Sequence, residues 1–395
     1  MALTLGAFAA AIDELAPFRL AYDWDNVGLQ IGDPGAPVER ALIALEMNPE
    51  VLARARREGC EAILTHHPLI FQPLKAVRGD TPAGRLQLDL IRAEIGLIAA
   101  HTNLDRVLRG TNGALAAKLG LLETKVLEPA VLNEMYKFTV FVPREYTPKL
   151  IDAIHRGGGG RIGDYSHCTF RAPGTGTFVP EKGANPFLGK PGEFEQAEED
   201  RLETLVSRRN LKTVLYEVMQ AHPYEEVAYD VFPLYDANPA FGLGVSGRLP
   251  VKLTLRAVAE KLREACNSNL TCIVGDGSKR VEKVAIITGS AGSSVRTVNP
   301  NSTDLLITGE LTYHNALEAK ERGLAVITLG HAASEKIFAP FVRDELLRED
   351  AIKKSGIELL TYEDFPEPFD LVLPNGKTQG TESSNQKTSP KRGKK

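Results

Sequence analysis

Residues 41–68, ALIALEMNPEVLARARREGCEAILTHHP, carry the reading on which the fold turns. ALIALE (41–46) and EAILT (61–65) are short aliphatic runs of strand length, and VLARARREG (51–59) between them has helical composition. Strand, helix, strand is the βαβ unit, in which a crossover helix joins two parallel strands. The pattern continues through GLIAAHTNLD (96–105) and GALAAKLG (113–120), so the region from about 40 to 130 predicts a mostly parallel α/β sheet. It resumes between about 250 and 370, in VEKVAIITGSAGSS (281–294), TDLLITGELTYHNALEAKERG (303–323) and LAVITLGHAASEKIFAPFVRDELL (324–347).

Between these regions the character changes. YKFTVFVP (136–143) and KTVLYEVMQ (212–220) read as strands, with the Gly-, Pro- and aromatic-rich stretch 157–180 between them, which predicts an inserted α+β module. The expected organisation is an N-terminal α/β lobe over 1–130, the insert over 131–235, a C-terminal α/β lobe over 236–372 and a tail over 373–395. The last twenty residues lack apolar periodicity and carry six basic residues against one acidic, a composition that predicts disorder.

Bulk properties narrow the function classes. The 395 residues exceed what one core usually serves, and the 43% apolar fraction can bury two or three. A net charge of -4 and a pI near 6.1 leave no basic footprint for nucleic acid or an anionic membrane. The four cysteines, Cys60, Cys168, Cys266 and Cys272, have no CxxC spacing, which argues against a disulfide scaffold or zinc ribbon and fits a reducing cytoplasm. MALTLGAFAAAIDELAP (1–17) lacks a basic start and has Asp13 and Glu14 at helical spacing, so it reads as an amphipathic helix and not a signal peptide. No run of about 18 uncharged apolar residues suggests a membrane span.

Three strand-like runs end in groups that ligate metals. AILT leads into His66 and His67; LIAA into His101 and, four residues on, Asp105; AVITLG into His331 and, four residues on, Glu335. Ligands of open α/β sheets bind beyond the carboxyl ends of strands, so these loops are expected to converge on one cleft. If a helix starts at Gly330, His331 and Glu335 share one face. A lone strand-end histidine is more often a hydrogen-bonded core residue, but two adjacent imidazoles are costly to bury without a metal or several partners. Imidazole suits zinc, iron, nickel or copper; carboxylates widen the choice toward manganese or magnesium and can bridge two ions. His101 reads as a group orienting Asp105, as a general acid or base or, less readily, as a direct ligand. Glu310 and His314 follow the apolar run LLIT and read as supporting groups, substrate contacts or a plain helix start. GSAGSS (289–294) reads as a phosphate cradle or as an ordinary tight turn. GANPFLGKP (183–191) has the wrong spacing for a P-loop, and HExxH is absent, which argues against P-loop nucleotide hydrolysis and the zincin proteases.

Long blocks of this chain resemble a known family. WDNVGLQIGDP (24–34), THHPLIF (65–71), HTNLDR (101–106), ITGELTYHNA (307–316) and GHAASEK (330–336) look like the signature blocks of the Nif-three-like family, whose members carry the name GTP cyclohydrolase I type 2 homologue. Residues 157–189 and AHPYEEVAYDVFPL (221–234) look like the PII/CutA-like domain inserted in its longer bacterial members. The resemblance implies a three-layer α/β/α fold with a ferredoxin-like insert, two divalent metal ions such as zinc, iron or manganese, and a homohexamer. Its ligands fall on His66, His67, Asp105, His331 and Glu335, with His101 and Glu310 as candidate proton-handling groups and Asp25 and Asn26 toward the site. Glu46 stands where the family commonly has aspartate, and Thr328-Leu329 where close relatives often have Asp-Pro. The implied activity is metal-dependent hydrolysis of a nucleotide or related small molecule; the other reading is a metal- or metabolite-sensing regulatory or adaptor protein.

Overall fold

The computed structural model describes residues 3–131, 134–235, 237–365, 368–369, 371–372 and 378–379, so the expected tail lies almost wholly outside the described residues. The chain divides into two compact units, one formed by 1–130 with 239–395 and the other by 131–238.

The larger unit is built on two main sheets, beside short two-stranded pairs. In the first, Glu358–Tyr362, Arg40–Ala44, Ala62–Thr65 and Gly96–Ala99 lie parallel in that order, and Gly28–Ile31 closes the edge antiparallel. Residues 62–65 and 96–99 are all buried, as continuous apolar strands are when both faces of a parallel sheet are covered. The crossover helix Pro49–Glu58 starts where the Asn48 side chain accepts the Val51 amide and ends at Gly59 in the left-handed conformation (φ 67°). The expected N-terminal helix is Leu5–Leu15, capped by Thr4 and burying Leu5, Phe8, Ile12 and Leu15.

The second sheet runs in the order Cys272–Val274, Ala325–Thr328, Leu305–Glu310, Arg280–Ser290, Ala237–Thr254, Leu122–Val131, its three inner C-terminal strands parallel. Alternate residues supply two cores on opposite faces. Val284, Ile286, Leu305, Ile307 and Ile327 pack with Leu115 and Leu119 of helix Thr111–Leu119 and with Val258 and Leu262 of helix Leu255–Ala265. Ala285, Ile287, Leu306 and Val326 pack with Val295, Val298 and Ala319 on the other side. Helix layers on both faces give the α/β/α sandwich.

The smaller unit runs strand, helix, strand, strand, helix, strand: Met135–Pro143, Thr147–Arg156, Thr169–Phe178, Glu195–Ser207, Leu211–Ala221, Tyr229–Pro233. Its antiparallel sheet takes them in the order fourth, first, third, second, the ferredoxin-like arrangement. KTVLYEVMQ, expected as a strand, is instead part of helix Leu211–Ala221, because Val214, Val218 and Ala221 recur at helical spacing and fill one core with Phe138, Val140, Leu150 and Leu202. Its aliphatic and aromatic content suits a strand, but the buried period is helical.

Candidate metal centre

Two short helices make the site. The chain leaves strand Gly96–Ala99 and turns at once into Thr102–Asp105, with His101 as its cap; it leaves Ala325–Thr328 and turns at Gly330 (φ 87°) into His331–Glu335. One helical turn carries Asp105 back beside His101 and Glu335 back beside His331. His66 and His67 follow strand Ala62–Thr65 directly. The loops converge as expected, but from the strand ends of two sheets.

Glu335 is the centre of the cluster. It is 3% exposed, with Oε1 3.7 Å from His66 Nε2, and Oε2 3.3 Å from both His67 Nε2 and His331 Nε2. Asp105 Oδ1 lies 3.8 Å from the same His66 Nε2, and Thr111 Oγ1 donates to that Asp105 oxygen. The two donor groups His66/His67/His101 and His67/His331/Glu335 each gather their ligand atoms within 4.8 Å, close enough for either to hold a metal ion. His66 Nε2 and Glu335 Oε2 are buried without a well-aligned hydrogen bond. Buried polar atoms are nearly always satisfied, so an orphaned imidazole nitrogen and an orphaned carboxylate oxygen within one cluster of ligating groups are what bound cations would satisfy.

The outer nitrogens are spoken for. His66 Nδ1 meets the Ala100 carbonyl at 2.8 Å, His67 Nδ1 meets Glu46 at 3.3 Å, and His331 Nδ1 meets Glu310 at 3.2 Å. With a proton on each Nδ1, the Nε2 lone pairs turn inward. His101 Nδ1 is 2.9 Å from Asp25 Oδ1, and the Thr102 amide and hydroxyl donate to the other Asp25 oxygen. Burial raises the Asp25 carboxyl, but these donors outweigh it and hold the group below its usual range.

Without a cation the carboxylates draw protons onto the imidazoles. Burial opposes charge on His67, yet Glu335 and Glu46 push it up to about 10; Glu335, with Glu310 in support, pushes His331 up to about 9 against burial. Burial would raise Glu335, but three histidines drive it well below the carboxylate range, while burial dominates at Asp105 and raises it. The site is thus charged with protons that a cation would displace.

The close approach of the elements depends on small residues. A Cβ on Gly289 (φ 63°) would lie 2.3 Å from Glu335 Oε1, and one on Gly309 would lie 2.4 Å from the Gly289 carbonyl. The Ser334 hydroxyl receives the Gly289 amide at 2.9 Å, Thr308 receives that of Ala291, and Ala291's carbonyl receives that of Ser294. GSAGSS is therefore a tight turn whose amides serve the fold, and the phosphate-cradle alternative loses those donors. His314 is exposed at the start of helix Tyr313–Glu321, its ring against Tyr313, which fits the helix-start reading.

The family model for Duf34/NIF3 (NGG1p interacting factor 3) matches residues 3–368. The chain belongs to this family. This NIF3-family chain is 37% identical to the Halalkalibacterium halodurans protein named GTP cyclohydrolase 1 type 2 homolog over 357 residues, which is 90% of this chain and 96% of that one. The Bacillus subtilis protein of the same name is also 37% identical, over 91% and 96% of the two chains. The crystal structure of a Bacillus cereus protein related to NIF3 superposes with a TM-score of 0.69 at 35% identity, covering 94% of this chain and 99% of that one. A Staphylococcus aureus structure gives 0.76 at 26%, over 94% and 99%.

Sequence reading of the NIF3-family chain missed Thr111, Asn112 and Ser334. Thr111 and Asn112 open the helix Thr111–Leu119; Asn112 donates to the Asp105 carbonyl and receives the Thr288 amide at 2.8 Å, tying the two sheets together beside the site. Their signal, a polar pair at a helix start, is too common to single out. An aromatic lip of Trp24 (56% exposed) and Phe71 (42%) also went unread; their ring centroids lie 6.3 and 6.4 Å from that of His101.

Proposed function

We propose that this protein is a dinuclear metal-dependent hydrolase acting on a nucleotide or related small molecule with a planar ring. The observation that carries this reading is the buried Glu335 carboxylate, whose two oxygens face different donors: His66, with Asp105 beyond it, on one side, and His67 with His331 on the other. One carboxylate between two sets of donors suits a bridged pair of ions held by His66, Asp105, Glu335, His67 and His331. When bound, such ions make a coordinated water acidic and polarise the electrophile it attacks. Glu46 and Glu310 keep His67 and His331 in the inward-facing tautomer. His101, oriented by Asp25 and belonging to one of the donor groups, is the proposed proton carrier, with Glu310 at the rim of the adjoining cleft of ≈ 430 Å³ as a second candidate. Trp24 and Phe71 offer flat apolar faces against which a heteroaromatic ring can stack. The relatives' name points to GTP among such substrates.

The test loads metal-free protein with zinc, iron(II) or manganese(II) and assays hydrolysis of nucleotides and phosphoesters, with His67→Ala and Asp105→Ala in parallel. Activity is expected only in the loaded parent chain. Turnover that survives both substitutions removes the catalytic reading of this site, whereas absence of turnover in the loaded parent chain favours a metal- or metabolite-sensing role, the alternative suggested by the ligand-sized cleft of the inserted unit. The family resemblance also supports a homohexamer, which a solution mass near six protomers of 43.0 kDa would bear out.

A further inference from the structure

The sheet of the inserted unit carries a cleft of ≈ 690 Å³ built entirely from residues of that unit. This is the size of a small-molecule site, and its lining has the expected composition: apolar walls with a few fixed polar groups. Phe178, Phe187 and Tyr224 form the walls, the first two rings lying 6.2 and 6.1 Å from Tyr224. Tyr224 is held in place because its amide donates to His222 Nδ1 at 3.1 Å, while His222 Nε2 meets the Phe141 carbonyl at 2.9 Å. The Asn185 amide donates to Glu225, which anchors the loop bearing Phe187.

The charge in the cleft is one-sided. Glu181, Glu199, Glu225 and Glu226 line it against Arg201, whose guanidinium is already 2.9 Å from Glu203. Glu199 is only 8% exposed, and among the described residues no lysine or arginine pairs with it. Its carboxylate reaches toward the edge strand Thr169–Phe178 over Gly176, where a Cβ would lie 2.2 Å from Oε2. The Tyr224 hydroxyl, which faces this carboxylate, is buried without a geometrically sound hydrogen bond. A buried carboxylate lacking a counter-charge is costly, and here it lies among aromatic rings whose faces also attract cations.

We propose that this cleft binds a small organic cation, an amine or quaternary ammonium with a flat apolar body, whose charge sits at Glu199 and whose body packs on Phe178, Phe187 and Tyr224. An anion or a phosphate meets four carboxylates there and is refused. The site is separate in composition from the histidine cluster and does not depend on its metal.

Calorimetric titration of the full chain with benzyltrimethylammonium tests this, with benzyl alcohol and benzoate as neutral and anionic counterparts. Saturable one-site binding of the cation is expected, at least tenfold tighter than either counterpart. Glu199→Gln is expected to weaken it at least tenfold and Phe187→Ala, at a half-exposed wall, at least fivefold, whereas His67→Ala leaves it unchanged. If Glu199→Gln does not fold, Phe187→Ala and the exposed-rim variant Glu226→Gln, expected to weaken binding about twofold to threefold, carry the test. Absence of cation binding, equal binding of benzoate, an unchanged affinity in Phe187→Ala, or loss of binding in His67→Ala overturns the proposal.

Discussion

At the residue scale, Glu335 decides what the site can hold. Glu335→Gln keeps the shape of the side chain but removes the charge that faces His66, His67 and His331. On the proposed dinuclear reading it is expected to lower bound metal from about two ions per chain to less than about half an ion, measured by elemental analysis of protein purified with metal present; undiminished metal content sinks the shared-carboxylate reading. A second expectation follows from the protons on the metal-free imidazoles. His67 and His331 are raised to about 10 and about 9, so at neutral pH both are charged and an ion must displace their protons. Affinity for zinc should therefore climb as pH rises from 7 toward 9, by about tenfold per pH unit for each proton displaced, and level off above the raised values. Competition titrations with a chelator of known pH dependence measure this, and a flat profile contradicts it. Asp25 and His101 form a pair whose contribution is separable from loading. Asp25→Asn leaves His101 without its carboxylate partner, so turnover should fall by about 10²–10⁴ with metal content retained. A parallel loss of metal would instead make the pair part of the metal scaffold.

At the scale of the element, the strand ends were legible and their supports were not. AILT before His66, LIAA before His101 and AVIT before His331 are buried strands because continuous aliphatic runs of that length have few other places to go. The HxxxE spacing pointed to a helical turn at His331–Glu335, and the same turn stands at Thr102–Asp105, where the HxxxD spacing was read only as ligand spacing. Nothing local in the chain says that the third strand belongs to a different sheet, since strand partners are chosen by long-range packing. Nor does a sequence reveal that Gly289 stands against Glu335, because the glycine looks like any turn glycine. Its neighbour Gly292 provides the control: both have positive φ, 63° and 49°, but a Cβ on Gly292 meets nothing within 4 Å. Alanine at either position should cost about 1–2 kcal/mol of backbone strain, read from chemical unfolding. Only Gly289→Ala should also displace the carboxylate and depress metal content, since disturbing what holds a ligand in place costs about 10–100-fold in metal affinity. Equal metal content in the two variants contradicts the steric reading.

At the scale of the whole molecule, the chain interrupts one unit to build another. The change of character after residue 130 was read from the strand-like run YKFTVFVP and the turn-rich stretch 157–180, and neither depends on the segment 212–220 that proved to lie in helix Leu211–Ala221. Each unit has its own apolar core: Phe138, Val140, Leu150, Leu202 and Val214 in the insert, and Val284, Ile286, Leu305 and Leu255 among others in the larger unit. The strands that bracket the insert, Leu122–Val131 and Ala237–Thr254, are hydrogen-bonded neighbours in the second sheet, and Gly242 packs so close to the first of them that a Cβ would lie 1.9 Å from the Glu128 carbonyl. A short turn can therefore join strands that are already paired, since adjacent antiparallel strands need as few as two loop residues, and closing a short loop costs less entropy than closing a long one. Replacing 132–236 with a Gly-Ser linker of about six residues is expected to leave a folded chain that unfolds in one cooperative step and retains the metal content of the parent. Circular dichroism and elemental analysis check both points. A product that is unfolded, or folded without metal, would mean that the insert completes the larger unit and that the two cores do not stand alone.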